Sequence, residues 1–166
     1  MAILWSFTRI FIKTSSGRKR FNVLGALNAM TLEMLTVVND SYINAWSVAE
    51  LFKKMREAHP EGKITVILDN AKYQSCYVAK IAANMLSIDL LYLPVYSPNL
   101  NLIERVWKFI RKKCLNGKYY ENFESFKKAI TDCIEKFENE YQEELRSLLT
   151  WSFQTFLMEE SESKAA

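Results

Sequence analysis

The run Ile64-Thr65-Val66-Ile67-Leu68 constrains this chain more than any other stretch. It is β-branched at all but its last position and too short for a helix, so it reads as a strand buried on both faces. Asp69-Asn70 stands at its carboxyl end. Val78, Ile81, Ala82 and Met85 then recur at helical spacing, predicting a helix over residues 73–86, and residues 88–93 return to strand composition. Strand, helix and strand in that order fit an α/β arrangement. An open α/β sheet places its ligands at the carboxyl ends of such strands. Asp69 is at that end.

The flanking segments fill in an α/β arrangement with a mixed sheet. Residues 4–12 carry Phe7, Ile10, Phe11 and Ile12 and read as an extended segment. Thr14-Ser15-Ser16-Gly17 is a turn, leading to the basic tip Arg18-Lys19-Arg20. Residues 21–28 and 31–38 read as neighbouring antiparallel strands. From Asn44, the residues Trp46, Val48, Ala49, Phe52 and Met55 approximate helical spacing until His59-Pro60-Glu61-Gly62 stops it. Residues 94–101 form a loop rich in Pro, Asn and Ser. Three helices follow: residues 102–115, broken by Asn116-Gly117; residues 123–141; and residues 143–158. Residues 1–158 thus read as a single domain, with residues 159–166 a polar tail.

Composition bounds the function. The 166 residues hold three cysteines at wide spacing and a single histidine, which disfavours a disulfide scaffold or a Cys-rich zinc site and suits a reducing cytoplasm. No apolar run is long enough for a membrane span. The net charge of +3 conceals an asymmetry. Residues 1–119 carry 17 basic and 8 acidic side chains, and residues 120–166 carry 5 and 11. A basic front section is compatible with a polyanion such as nucleic acid, and equally with an uneven solvated surface.

Each candidate residue has a plain structural reading beside a functional one. Asp69-Asn70 alone is good turn chemistry. Asn101 is a plausible helix N-cap, which puts Glu104 at the third helical position of a capping-box-like pattern and four residues before Lys108. Leu102, Ile103, Val106, Trp107 and Ile110 form the apolar stripe of that helix, which makes Trp107 a core residue rather than a base-stacking platform. The functional reading joins the two carboxylates. Two carboxylates brought to one crevice repel and share a cation, and hard oxygen ligands select Mg²⁺ or Mn²⁺. Two such ions clamp the attacking and leaving oxygens of phosphoryl transfer.

One long motif connects these residues. Ile67-Leu68-Asp69-Asn70-Ala71, followed by the continuous stretch Leu93-Pro94-Val95-Tyr96-Ser97-Pro98-Asn99-Leu100-Asn101-Leu102-Ile103-Glu104-Arg105-Val106-Trp107, resembles DDE transposases of bacterial insertion sequences, in the mariner-like superfamily. The 34 residues between Asp69 and Glu104 match the family's spacing. The likeness extends upstream through Gly25-Ala26-Leu27 and departs from the family at Val95 and Leu102, where Pro is common. It implies an RNase H-like fold, two Mg²⁺ or Mn²⁺ ions, and DNA strand cleavage and transfer between transposon ends and target. Asp69 and Glu104 match the second and third catalytic acids, both metal ligands.

The same resemblance places the family's first catalytic Asp on a strand upstream of Met1, along with its helix-turn-helix. Asp40 and Asp89 are poor substitutes. The expectations are therefore a catalytic domain without its first strand, inactive alone, and pairing as a homodimer or with a second transposase chain that carries the missing part. The exposed sheet edge such a loss leaves favours aggregation or pairing. A catalytically dead DNA-binding or regulatory remnant and a helical oligomerisation module are the alternatives. Candidate phosphate contacts are Arg18, Lys19 and Arg20 at the basic tip, Lys72 after the Asp-Asn corner, and Arg105, Lys108, Arg111, Lys112 and Lys113 along the Glu104 helix.

Overall fold

The computed structural model describes residues 19–69, 71–94 and 100–150. The extended reading of residues 4–12, the Arg18 position, the centre of the Pro-rich loop and the last helix beyond residue 150 lie outside the described residues. The elements run in the order β1 (Asn22–Leu27), β2 (Met34–Asn39), α1 (Ala45–Ala58), β3 (Ile64–Leu68), α2 (Lys72–Ser75), α3 (Tyr77–Met85), β4 (Ile88–Tyr92), α4 (Leu102–Ile110), α5 (Phe123–Glu135) and α6 (Gln142–Leu148). A π-helical turn, Arg111–Leu115, continues α4.

The strands form two pairs. β1 and β2 are antiparallel, with Asn22 opposite Asn39 and Leu27 opposite Met34. β3 and β4 are parallel, with Ile64 opposite Ile88 and Leu68 opposite Tyr92. Among the described residues the pairs do not hydrogen-bond to each other, so the mixed sheet expected from the sequence is present as two halves. β3 also departs from expectation. Ile64, Val66 and Leu68 pack on the core, but Thr65 is exposed and Ile67 is 48% exposed. One face of β3 is open because nothing among the described residues lies against it.

Two apolar clusters hold the halves. The first gathers Val37, Val48, Leu51, Phe52, Met55, Leu68, Ala79, Ala83 and Ile88, so α1 and α3 cover one side of both strand pairs. The second gathers Val106, Phe109, Ile110, Cys133, Phe137 and Leu145 from the C-terminal helices, with Phe109 edge-on to Phe137 at 5.9 Å and to Tyr141 at 5.4 Å. β1 separates the clusters. Its Leu24 and Ala26 join the first, and its Val23 and Leu27 join the second. A strand covered on both faces explains why Val-Leu-Gly-Ala-Leu lacks polar alternation.

Local chemistry sets the boundaries. Asn44 caps α1 through Trp46 N–H and Ser47 N–H, and Ser47 closes a capping box. Asn101 caps α4 as expected, its side chain accepting from Ile103 N–H at 3.2 Å. The 73–86 helix is interrupted at Cys76, whose extended backbone separates α2 from α3. Helix α5 ends at Glu135, short of the expected Tyr141, because the chain tightens there into turns closed by Tyr141 N–H on Lys136 O at 3.0 Å. The π turn after α4 is closed by Asn116 N–H on Arg111 O at 2.9 Å.

Helix α4 crosses β1 at Gly25. A Cβ at Gly25 would stand 3.0 Å from the Trp107 ring and 2.5 Å from Met34 Cε. Met34 can swing aside, but the indole is held between strand and helix. Gly25→Val is expected to cost about 2 kcal/mol through overpacking, read as a lower urea midpoint. Combining it with Trp107→Leu is expected to cost less than the sum of the two single changes. An unchanged midpoint for Gly25→Val would contradict this packing.

Candidate active site

Asp69 and Glu104 line one cleft. Its volume is about 980 Å³, and its walls include residues 23–27 of β1, 64–68 of β3, and Leu102, Ile103 and Trp107 of α4. Asp69 comes to its mouth because β3 ends there. Pairing with β4 continues one step past the strand, as Leu93 N–H donates to Leu68 O at 2.8 Å. The chain then turns, with Asp69 Oδ1 accepting from Ala71 N–H at 3.3 Å. The turn reading of Asp69 is thus correct and compatible with a functional one, since it occupies one carboxylate oxygen.

Glu104 reaches the same cleft from the first turn of α4 and is half-buried. The Asn101 cap fixes where that turn begins. Among the described residues Glu104 forms no ion pair with Lys108, so the surface-pair reading of Glu104 fails. The phenol of Tyr73, also on the cleft wall, is raised above its usual pKa by burial first and by the Asp69 carboxylate second. Gln74 lies beside it and is 9% exposed. Its Oε1 has no hydrogen-bond partner among the described residues. Sequence reasoning missed Tyr73 and Gln74, because a Tyr-Gln pair after a turn carries no motif.

Two carboxylates lining one cleft are suitable hard ligands for one divalent ion, and too few to hold two. Among the described residues no group of three or more His, Cys, Asp or Glu side chains comes together. Asp40 and Asp89 are committed elsewhere, Asp40 to Lys127 at 3.5 Å and Asp89 to Lys63 at 2.9 Å.

The basic residues divide into two groups. In the C-terminal helices Lys113 contacts Glu144 at 2.6 Å and Lys136 contacts Glu140 at 2.6 Å. These contacts raise both lysine pKa values, chiefly through the hydrogen bond to the partner carboxylate. Lys113 therefore serves the fold, lying also over the Phe109 and Tyr141 rings. Arg105 is structural too, donating to Leu148 O at 3.3 Å and Thr150 O at 2.8 Å. It satisfies carbonyls at the end of α6. By contrast Lys72, Lys108, Arg111 and Lys112 are exposed and in no ion pair among the described residues. Lys19 and Arg20 are exposed as well, over the rings of Phe123 at 5.5 Å and Tyr42 at 4.7 Å.

This division has a measurable consequence. Arg105→Ala is expected to lower stability by about 1 kcal/mol, the worth of charged hydrogen bonds to carbonyls at a helix end. Arg111→Ala and Lys112→Ala are expected to stay within about 0.5 kcal/mol of the parent. Equal effects of all three changes on denaturation would contradict the assignment.

A family model described as DDE superfamily endonuclease matches residues 8–127. No curated protein matches this sequence. Among solved structures, the fold resembles the Mos1 strand transfer complex, with a TM-score of 0.58 and 14% identity over 93% of this chain and 50% of that one. The Mos1 mariner paired end complex with Mn gives a TM-score of 0.57 and 15% identity over 87% and 48% of the two chains. The Mos1 transposase catalytic domain with raltegravir and Mn gives 0.54 and 14% over 82% and 83%. The fold is RNase H-like. The chain spans about half the length of the full Mos1 transposase chains it matches.

Proposed function

We propose that this chain, which belongs to the DDE superfamily of endonucleases, is part of a transposase catalytic domain that cleaves and joins DNA strands. The observation that supports the reading is that Asp69, after β3, and Glu104, in the first turn of α4, line one cleft. Asp69 and Glu104 would hold a divalent ion, Mg²⁺ or Mn²⁺, which would supply charge stabilisation and lower the pKa of an attacking hydroxyl. The chain's own residues do the rest. The Asn101 cap and the Trp107 contact fix the approach of α4. Lys72, Lys108, Arg111 and Lys112 bind phosphates without reading sequence, which positions DNA rather than selecting it.

A third acid would allow a second ion to bind. DNA is the partner, and the reducing cytoplasm suits three free cysteines. Among the described residues no helix is long and apolar enough to cross a membrane.

Calorimetric titration with Mn²⁺ tests the ligands. Asp69→Ala and Glu104→Ala are each expected to weaken binding at least about tenfold, since even outer-shell changes cost that much; unchanged affinity in both would sink the site. The isolated chain is expected not to nick plasmid DNA above the level of Asp69→Ala. Robust Mg²⁺-dependent nicking that Asp69→Ala abolishes would show that two acids suffice.

A further inference from the structure

We infer that the side-chain carbonyl of Gln74 is a further oxygen ligand for the divalent ion of the proposed site, beside Asp69 and Glu104. This ligand set rests on the reading of the cleft as a metal centre. The turn that carries Asp69 also places Gln74. β3 ends at Leu68, and Asp69 Oδ1 accepts from Ala71 N–H at 3.3 Å. Ala71 O then accepts from Gln74 N–H at 2.8 Å, within the single turn of α2. From β4, the Tyr92 hydroxyl donates to Gln74 O at 3.3 Å. The backbone of Gln74 is thus held at both of its polar groups, and the residue lines the same cleft as Asp69 and Glu104.

The side chain has no such partner. Gln74 is 9% exposed, and its Oε1 is covered without a hydrogen bond among the described residues. Glutamine is seldom buried, and a buried carbonyl without a donor is costly. An apolar side chain of similar size would fill the same space without that cost. An orphaned polar atom in a native fold points to a water, an ion or a functional role.

The neighbours select the ion. An amide oxygen is a hard donor, as carboxylate oxygens are, and such donors suit Mg²⁺ and Mn²⁺. Two carboxylates leave an octahedral ion short of protein oxygens. A neutral carbonyl adds one without the mutual repulsion that a further acid brings. Asp69 also acts on this turn of α2. Its charge helps to raise the pKa of the adjacent Tyr73 phenol, after the larger effect of burial. The terminal torsion of a glutamine is broad, so the amide turns toward an arriving ion at little cost while the backbone stays held.

Titration of the full chain with Mn²⁺ alone, followed by calorimetry, tests this ligand together with thermal unfolding in EDTA. Gln74→Leu fills similar space and removes the oxygen. It is expected to weaken Mn²⁺ binding about tenfold. In EDTA it is expected to melt at or above the temperature of the parent, because an unsatisfied carbonyl is gone. A packing role would instead lower the melting temperature. Gln74→Glu keeps an oxygen and adds charge, and is expected to bind Mn²⁺ at least as tightly as the parent. Parent-like affinity in Gln74→Leu, or weaker binding in Gln74→Glu, overturns the inference. A Gln74→Leu variant that melts well below the parent in EDTA does so too, since the oxygen then serves the fold. Ligand and site fail separately. If Asp69→Ala and Glu104→Ala weaken Mn²⁺ binding and Gln74→Leu does not, the metal site stands and only this ligand is lost. Unchanged affinity in both acid variants removes the site and this ligand with it.

Discussion

The seat of Trp107 on Gly25 is the contact on which the rest of the arrangement depends. Only a residue without a Cβ lets the indole approach β1 this closely. That approach sets the height of α4 over the strands. Glu104 precedes Trp107 by three residues, so the two lie on neighbouring ridges of one helix face. When Trp107 closes on β1, Glu104 is placed on the wall of the cleft that Asp69 also lines. Both carboxylates line this cleft, and the Asn101 cap sets where the helix that carries Glu104 starts.

Charge supports the same geometry. The C-terminal helices are acidic overall and take up Lys113, Lys127 and Lys136 in ion pairs of their own. These exposed pairs add little stability, and they leave Lys72, Lys108, Arg111 and Lys112 exposed and in no ion pair among the described residues. Cys133 and Cys114 are buried in the helical cluster, where burial pushes the Cys133 thiol up to about 12. That raised value keeps the thiol protonated in the fold. Its contribution to stability is present below the ordinary cysteine pKa and is lost as pH rises above about 9 toward 12.

Much of this was legible in the residues. The β-branched run of β3 gave its bounds to the residue, because short β-branched segments have few alternatives. The Asn101 cap and the apolar stripe of α4 followed from side-chain chemistry and period. That Asp69 and Glu104 line one cleft was suggested only by the long motif between them, since each alone reads as turn or cap. What the sequence did not disclose depends on tertiary neighbours. The continuous apolar character of β3 implies cover on both faces, but whether a neighbour is present is not written in β3 itself. The end of α5 at Glu135 and the break at Cys76 were hidden because helical periodicity continues across both. Arg105 read as a phosphate contact because its carbonyl partners, Leu148 and Thr150, are more than 40 residues away in sequence.

The central claim is that Asp69 and Glu104 act on one ion. Crystals soaked in Mn²⁺ and measured at its absorption edge test it most directly. The account requires an anomalous peak bonded to oxygens of both carboxylates, at the ~2.1 Å typical of small divalent ions. A strongest peak bonded to neither carboxylate, or unchanged in crystals of Glu104→Ala, would contradict it.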